Sequence, residues 1–464
     1  MVFSSLIFIW LFLPIVLAGY FLTPNQLKNV FLLIFSLLFY AWGEPECIVL
    51  MIFLILINYV IGIFMERNGD KRKVLLILSI VINIALLGYF KYFNFFIRTV
   101  SLCTGKEIEI PEIALPIGIS FFTFQIMSYI IDLYRGKYHA QKNLINLALY
   151  ISFFPQLIAG PIVRYEDINV QLGHREHTLE KAAAGIRRFV YGFGKKIILA
   201  NTAAQCVDTI FALEYSELTG GLAWAGAVLY TLQIYYDFSG YSDMAIGLGR
   251  IFGFDFVENF NYPYMAVSIQ EFWQRWHISL GTWFKEYLYI PLGGNRKGKV
   301  RTYINLIIVF FLTGMWHGAS FNFILWGLYH GCFQIIERIK LKSFLFRHKI
   351  FAHVYTAMVF IFGWVIFRAD HILHACVIFR RMLLPWEYTE NQLMLHTIFS
   401  YKTMFVIVTG ILGSGLVQQF SHRTGLLAKW KNSYMEIVYC GIVFILCIAM
   451  LASNTYNPFI YFRF

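Results

Sequence analysis

The chain has 464 residues, of which 59% are hydrophobic, 19% aromatic and 14% charged, and its formal net charge is +12. Soluble domains carry about 25% charged residues, so this composition argues against a soluble protein and favours the membrane class. The basic residues fall in short loops between apolar runs, which is typical of a membrane protein and not of a nucleic-acid-binding surface. Continuous apolar runs also argue against a β-barrel, whose strands alternate.

Five apolar runs open the chain, and each is close to the length of about 20 residues that spans a bilayer. Basic loops follow the first, third and fifth runs, so these loops lie on one side and are predicted to be cytoplasmic. The N-terminus is therefore expected on the outside. The five predicted spans are roughly residues 2–22, 28–43, 46–65, 74–96 and 114–134.

Residues 143–163 are apolar but are interrupted by Phe154-Pro155 and Gly160-Pro161, and basic residues follow them. A full span here would break the alternation of sides, so we interpret the segment as re-entrant or interfacial. Proline at membrane depth is tolerated where neighbouring protein satisfies the backbone. Two further spans are predicted at about 186–212 and 221–247.

Residues 249–301 are too polar for the bilayer core, and aromatic residues recur within them at helical spacing. This pattern predicts one amphipathic helix that lies in the membrane interface and serves as a surface anchor. His277 falls at the edge of its apolar stripe. The stripe consists of Trp273, Trp276, Leu280, Trp283, Phe284 and Tyr287.

Thr302–Gln334 contains no Asp, Glu, Lys or Arg, and His317 lies in its middle between two glycines. Two apolar segments, about 303–317 and 320–337, predict a helix pair with His317 near its apex. An ionisable side chain in such a run marks either a functional site or a neutral imidazole that ties two helices together. Later spans at about 351–367, 402–419 and 435–452 bring the total to about twelve.

Polar residues that interrupt the apolar background are the candidate site. A neutral histidine near pH 7 can act as general base or as hydrogen-bond partner toward a hydroxyl and an activated acyl group. Asp237 is expected to orient its neighbours, since buried charges are usually paired. No metal-ligand spacing is present, so no metal site is predicted. The candidates are His317 with Trp316 and His330, Arg275 with His277, Asp237, and Asn259.

Two motifs carry a family resemblance. They are SIQEFWQRWHISLGTWFKEYLYIPLGGNR (Ser268 to Arg296) and GMWHGASFNFILWGLYHG (Gly314 to Gly331). Both resemble the membrane-bound O-acyltransferase (MBOAT) superfamily, and within it the bacterial alginate O-acetyltransferase (AlgI-like) and peptidoglycan O-acetyltransferase types. The resemblance extends to Leu115 to Gln125, Phe154 to Arg164 and Tyr235 to Gly249, and so covers nearly the whole chain.

The resemblance implies an all-α polytopic fold, with about 11–12 transmembrane helices and interfacial or re-entrant helices around a central tunnel. It implies a single membrane domain over 1–464, with a catalytic segment at about 249–337. By the same resemblance, His317 is the catalytic histidine and His277 a second required histidine. Arg275 could meet an anionic group of the donor. The donor is expected to be cytoplasmic acetyl-CoA, as a substrate and not a bound cofactor.

The tail, residues 454–464, ends in an aromatic cluster around Tyr461. It resembles a terminal motif of this group and of the small acyl-carrying partner in D-alanine transfer. Our topology places the tail outside the cell. Two interpretations stay open: Tyr461 accepts the acyl group from the His317 site and passes it on, or it is an aromatic interface anchor.

The leading function is therefore O-acetylation of an exported cell-envelope polysaccharide, alginate-type or peptidoglycan-type, in the bacterial inner membrane. The resemblance implies a periplasmic or extracellular acetyltransferase-like or esterase-like partner. The alternatives are a polysaccharide or small-molecule transporter, in which intramembrane polar residues mark a pathway, and a lipid O-acyltransferase. The absence of an internal repeat argues against the transporter.

Overall fold

The computed structural model describes residues 2–106, 108, 113–387, 392–425, 430, 433–453 and 456–460. Within these residues the protein is helical and has no β-strand, which confirms the predicted all-α class. The chain forms two compact units. The first comprises Met1–Phe189 with Met244–Val257, and the second comprises Val190–Asp243 with Glu258–Phe464.

Seven helices within the described residues are long and apolar enough to cross a membrane, so the protein is a multi-pass membrane protein. Shorter apolar helices occupy two further predicted spans, Phe8–Leu22 and Ile119–Tyr134. The seven long helices are Asn25–Gly43, Cys47–Arg67, Gly69–Thr104, Lys299–His317, Lys349–Arg368, Tyr401–Ser421 and Tyr434–Ser453.

The first unit contains helices that expose large apolar side chains on one face and bury small polar groups on the other. One buried group links two helices, where Asn58 Oδ1 accepts hydrogen bonds from Ser79 Oγ at 2.6 Å and from Asn83 Nδ2 at 3.1 Å. The helices are α1 (Leu13–Leu22), α2 (Lys28–Gly43), α3 (Cys47–Arg67), α4 (Arg72–Thr104), α5 (Ile119–Tyr134), α6 (Leu144–Ser152), α7 (Phe154–Leu157), α8 (Tyr165–Gly173) and α9 (Leu179–Gly194), the last of which continues into the second unit.

The segment that was predicted to be re-entrant is broken, as expected. Helices α6 and α7 have 9 and 4 residues and meet at Phe153, so neither is long enough to span a bilayer. Gln156 Nε2 donates to the carbonyl of Tyr150 at 2.6 Å, which satisfies backbone at the break. Ser36 on α2 supplies a second hydrogen bond, because its Oγ accepts from the N–H of Phe154 at 3.2 Å. The proline-containing segment is thus satisfied partly by its own Gln156 and partly by neighbouring protein.

The second unit holds the residues of the candidate site. Its helices are α10 (Asn201–Phe211), α11 (Gly220–Ile251, which ends in the first unit), α12 (Ile269–Arg275), α13 (Ile278–Phe284), α14 (Lys299–His317), α15 (Phe321–Ile336), α16 (Lys342–Arg347), α17 (Lys349–Arg368), α18 (Ile372–Leu383), α19 (Gln392–Ile398), α20 (Tyr401–Ile411), α21 (Val417–Thr424) and α22 (Tyr434–Ser453).

Helices α14 and α15 form the predicted pair, and His317 is the last residue of α14. The two backbones touch where glycine faces glycine. A Cβ atom at Gly314 would lie 3.3 Å from Gly327 Cα and would collide with the carbonyl of Phe323. Only glycine permits this approach, so the sequence around His317 fixes the separation of the two helices.

The prediction of one interfacial helix with a membrane-facing aromatic stripe is wrong. The chain breaks at His277 into α12 and α13, and most of the stripe is buried inside the second unit instead of facing lipid. Trp276 and Leu280 are each 2% exposed, and Trp283 is 5% exposed. Helical spacing identified the buried face correctly but could not tell lipid from protein as the partner of that face.

Candidate active site

His277 is held by a hydrogen-bond network centred on the Asn259 side chain. Asn259 Oδ1 lies 3.0 Å from His277 Nδ1 and accepts hydrogen bonds from the Ser279 backbone N–H at 3.3 Å and from Ser279 Oγ at 2.9 Å. Asn259 Nδ2 donates to Ser242 Oγ at 3.0 Å on helix α11. One buried amide therefore links α11 to the start of α13 and sets the position of the imidazole.

This network fixes the tautomer of His277. A backbone N–H can only donate, so the atom of Asn259 that faces Ser279 is the amide oxygen. That oxygen can only accept, so His277 Nδ1 carries the proton and Nε2 presents its lone pair. Nε2 is buried and has no hydrogen-bond partner among the described residues. A buried, unsatisfied acceptor of this kind suits a group that receives a proton or binds a substrate donor.

The backbone at His277 is unusual for a residue other than glycine. Its φ of 46° and ψ of 54° lie in the left-handed region, which costs a side-chain-bearing residue free energy. The flanking helix α12 is fastened at its start, because Glu337 accepts hydrogen bonds from the N–H groups of Ile269 at 2.6 Å and Gln270 at 3.1 Å. The surrounding contacts thus hold His277 in a turn that points its ring inward.

His277 is 1% exposed and lies outside the candidate membrane-spanning helices. Burial lowers the pKa of His277 well below its ordinary value, and the nearby His317 lowers this pKa further. The imidazole is therefore neutral at physiological pH, in agreement with the tautomer that its hydrogen bond defines. A neutral ring with an open Nε2 can act as a base.

A cavity of about 410 Å³ opens beside His277. Its walls combine apolar side chains with three glutamines, and two exposed cations, Lys285 and Arg338, also line it. The glutamines can both donate and accept hydrogen bonds. They are Gln270, Gln274 and Gln334.

His317 lines a second and much smaller cavity, of about 10 Å³. The side chain is 7% exposed, and its ring contacts Trp326 at 5.1 Å and Phe367 at 5.3 Å between centroids. Trp316 contacts both histidines, at 5.0 Å from the His317 ring and 5.9 Å from the His277 ring. The structure thus brings the two predicted histidines to one tryptophan, while each lines its own cavity.

His330 lies apart from both cavities in a box of aromatic rings. It is fully buried, and its ring centroid lies 5.1 Å from that of Trp273 and 5.3 Å from that of Trp326. Neither ring nitrogen has a hydrogen-bond partner among the described residues. Its position behind Trp326 is suited to supporting the wall of the His317 cavity by packing.

Two of the predicted polar residues line neither cavity. Arg275 forms an ion pair with Glu271 at 2.6 Å on helix α12 and donates to the carbonyl of Asn261 at 3.3 Å. Asp237 forms an ion pair with Lys196 at 2.5 Å and accepts a hydrogen bond from the Ile460 N–H at 2.8 Å. Asp237 therefore orients its neighbours, as expected, and among them Ile460 lines the His317 cavity.

Sequence reasoning missed Lys196 and Ile460. Lys196 follows Lys195 within an otherwise apolar stretch, and this position was a signal that a buried partner exists. Ile460 lines the His317 cavity, although nothing in the sequence distinguishes it from other aliphatic residues. Tyr461, the proposed acyl carrier, lies outside the described residues. Within the described residues, no group of three or more His, Cys, Asp or Glu side chains could hold a metal ion.

The family model for MBOAT, the membrane-bound O-acyltransferase family, matches residues 135–376. This range contains both histidines, the aromatic box and the two cavities apart from Ile460. The chain belongs to the MBOAT family. It is accordingly an acyltransferase, and the resemblance seen in its motifs is confirmed.

Curated members of the MBOAT family match along the whole chain. The chain is 40% identical over 487 residues to the "Probable alginate O-acetylase AlgI" of Pseudomonas putida, with all of both chains covered. The protein of that name from Pseudomonas aeruginosa is 45% identical over 400 residues, which cover 84% of this chain and 76% of the relative. The "Peptidoglycan O-acetyltransferase" of Helicobacter pylori is 32% identical, with 100% and 98% covered.

Proposed function

We propose that this protein transfers an acetyl group from cytoplasmic acetyl-CoA to a hydroxyl outside the membrane, for O-acetylation of an exported cell-envelope polysaccharide. The observation that carries the proposal is the pair of buried histidines that share Trp316 and line separate cavities. The relatives named as alginate O-acetylases and as a peptidoglycan O-acetyltransferase support an acceptor of this class.

The cavity beside His277 suits the donor. Acetyl-CoA carries a long arm with two amide groups and an anionic nucleotide end. The three glutamines can pair with amides, and Lys285 and Arg338 can meet the phosphates. Arg275 was expected to take that role, but its guanidinium is engaged by Glu271, so the two lining cations are the better candidates.

Transfer of the acetyl group to the acceptor requires one group that takes the proton of the acceptor hydroxyl. His317 takes the proton as the hydroxyl oxygen attacks the thioester carbonyl, the carbon–sulfur bond breaks, and the proton passes to the departing CoA thiolate. The products are an O-acetyl ester and CoA. Nε2 of His277 has no hydrogen-bond partner among the described residues, and His277 lines the donor cavity, so Nε2 supports donor binding or this movement of the proton.

The acceptor side includes the tail. Ile460 lines the His317 cavity, and Tyr461 is the next residue in the chain. The phenol of Tyr461 accepts the acetyl group first and hands it to a secreted acetyltransferase-like or esterase-like partner, which completes transfer to the polymer. The positive-inside pattern supports extracytoplasmic termini in a bacterial inner membrane.

Substitution of His317 tests the proposal. We expect His317→Ala to lower alkali-released acetate from the polymer by about 10²–10⁴-fold, the usual contribution of general acid–base catalysis. Polymer export and protein level should stay at the level of the wild type. The matched control is His353→Ala, which removes an exposed imidazole from α17. Loss of export together with acetylation would instead favour a transporter, and unchanged acetate would refute the assignment.

A further inference from the structure

We infer that residues Tyr456–Ile460, here called the tail segment, place Ile460 in the wall of the cavity that His317 lines, and that Ile460 limits the length of the acyl group that is transferred. The inference rests on the proposed transfer at His317. It assigns a specificity role to Ile460 and a positioning role to the ion pair between Lys196 and Asp237.

The tail segment is fastened by a buried ion pair. Lys196 and Asp237 are 1% and 2% exposed, and Lys196 Nζ lies 2.5 Å from Asp237 Oδ1. Lys196 Nζ also donates a hydrogen bond to the carbonyl of Pro458, and Asp237 Oδ2 accepts one from the N–H of Ile460 at 2.8 Å. The cation therefore holds one backbone carbonyl, and the anion holds the amide two residues further on.

This arrangement couples the ion pair to the tail segment. Burying two charges is costly unless their remaining hydrogen-bonding capacity is also used. Here the tail backbone supplies hydrogen bonds to both charged groups. Removal of the lysine would leave a buried carboxylate without its cation, and the tail segment would lose the hydrogen bond to the carbonyl of Pro458.

Other contacts hold the same segment along its length. The Phe459 ring lies 4.8 Å from the Tyr241 ring between centroids, and Asn457 Oδ1 accepts a hydrogen bond from Asn201 Nδ2 at 3.0 Å. The Tyr456 hydroxyl donates to the carboxylate of Asp208. The segment is thus fixed by side chains of α10 and α11 and by the residues that precede α10.

Ile460 reaches the cavity that His317 lines. At about 10 Å³ this cavity has room for roughly one water-sized probe, so its walls leave little space beside His317 and disfavour a longer acyl chain. Its other lining residues are mostly aromatic, and among the described residues of the tail segment Ile460 is the one that lines it. The lining residues are Ile234, Phe238, Trp276, His317, Trp326, Trp364, Phe367 and Ile460.

The size limit can be measured by competition between two donors. Membrane vesicles from cells that make the full chain and its polymer receive equal concentrations of isotopically distinct acetyl-CoA and propionyl-CoA. Acetate and propionate are then released from the polymer by alkali and counted by mass spectrometry. Vesicles carrying His317→Ala define the background.

We expect Ile460→Ala to raise the propionate-to-acetate ratio by about tenfold or more, since one methylene in an apolar pocket changes selectivity by about 10–200-fold. Ile460→Val should raise it less, and this variant keeps the test valid if the alanine variant does not accumulate. Ile378→Ala, which shortens a buried isoleucine outside the cavity lining, should leave the ratio unchanged.

The outcomes separate the inference from the proposed function. If the wild type transfers neither acyl group above background, the proposed donor is wrong. If the wild type transfers acetate but neither Ile460 variant changes the ratio, the specificity role of Ile460 is wrong. An equal fall in both esters would likewise refute the size limit.

The positioning role of the Lys196–Asp237 ion pair can be tested separately, with the neighbouring Lys195 as the matched control. Lys195 pairs with Asp243 at 2.6 Å, and neither residue contributes to the cavity lining. Lys196→Met should speed hydrogen exchange of the tail peptide and raise the propionate-to-acetate ratio, whereas Lys195→Met should do neither. Unchanged exchange and an unchanged ratio in Lys196→Met would overturn the positioning role.

Discussion

The two cavities of the second unit differ in size and in chemistry. The one beside His277 measures about 410 Å³ and combines apolar walls with glutamines and cations, whereas the one beside His317 measures about 10 Å³ and is lined by aromatic and aliphatic side chains with one histidine. A long polar substrate requires the larger cavity, whereas the smaller one has room for a small group only. If acetyl-CoA is the donor, as proposed, we expect its body and its acetyl group to be recognised in different places.

The two histidines also differ in their surroundings, which are polar for His277 and aromatic for His317. His277 sits in a turn, and the Asn259 amide fixes the protonation of its ring. His317 ends a transmembrane helix and is surrounded by the rings of Trp316, Trp326 and Phe367. Hydrogen bonding sets the chemistry of the first residue, while packing sets the position of the second. Substitutions at Tyr461, at Asn259 and at the two cations of the larger cavity test this division.

Of these substitutions, the largest effect is expected at Tyr461, the proposed acyl carrier. Tyr461→Phe removes the hydroxyl that would accept the acetyl group, so polymer acetate should fall by at least about 100-fold, as when a covalent intermediate cannot form. The measurement is alkali-released acetate at matched protein levels, with Tyr439→Phe on α22 as control. Full acetylation by Tyr461→Phe would refute the carrier role and favour an interface anchor.

A smaller effect is expected at Asn259, which positions His277. Asn259→Ala leaves a buried Nδ1–H without its acceptor, a loss of about 1–3 kcal/mol, which corresponds to about a tenfold to 100-fold fall in kcat. The KM for acetyl-CoA should change little.

The conservative variant separates positioning from folding. Asn259→Asp retains an acceptor for His277 Nδ1–H and should recover much of the kcat that Asn259→Ala loses. Equal loss of activity in Asn259→Ala and Asn259→Asp would contradict this role, and so would a change in KM alone in both variants. In either case the hydrogen bond between Asn259 and His277 does not act by setting the His277 tautomer.

The smallest effect is expected from the cations of the donor cavity. Lys285→Ala or Arg338→Ala removes one exposed charge, worth about 0.2–1 kcal/mol, so the KM for acetyl-CoA should rise by about two- to fivefold with kcat unchanged. Added salt should diminish the difference between the variants and the wild type, because it screens exposed charges. Lys349→Ala on α17 is the control, and a fall in kcat without a change in KM would count against a donor-binding role.

The sequence alone predicted the helical class, the break near Pro155 and the family. It also predicted the helix pair α14 and α15, with His317 near the turn between them. Each of these depends on local patterns, such as apolar length, proline position and a motif. The division of the interfacial helix at His277 was not predictable, because the left-handed turn depends on tertiary contacts of Asn259 and Glu337. Helical spacing alone also could not show that Trp276 faces protein and not lipid.

The partners of the polar residues were harder still to predict. Asp237 was recognised as a residue that orients others, yet its partners Lys196 and Ile460 lie 41 residues before it and 223 residues after it in the chain. Contacts over such separations follow from the packing of α11 and the tail segment, and no periodicity within one sequence encodes them. For the same reason, the sequence could not show that Trp316 contacts both His277 and His317.

The glycine contact between α14 and α15 has a consequence for the membrane itself. A transmembrane helix that is longer than the local bilayer is thick can tilt to match it, so the tilt changes with bilayer thickness. Because the backbones at Gly314 and Gly327 touch, these two helices tilt together as one body. The spacing between His317 and Trp326 is therefore expected to stay the same in thin and thick bilayers, and the proposed acetyl transfer at His317 should depend little on bilayer thickness.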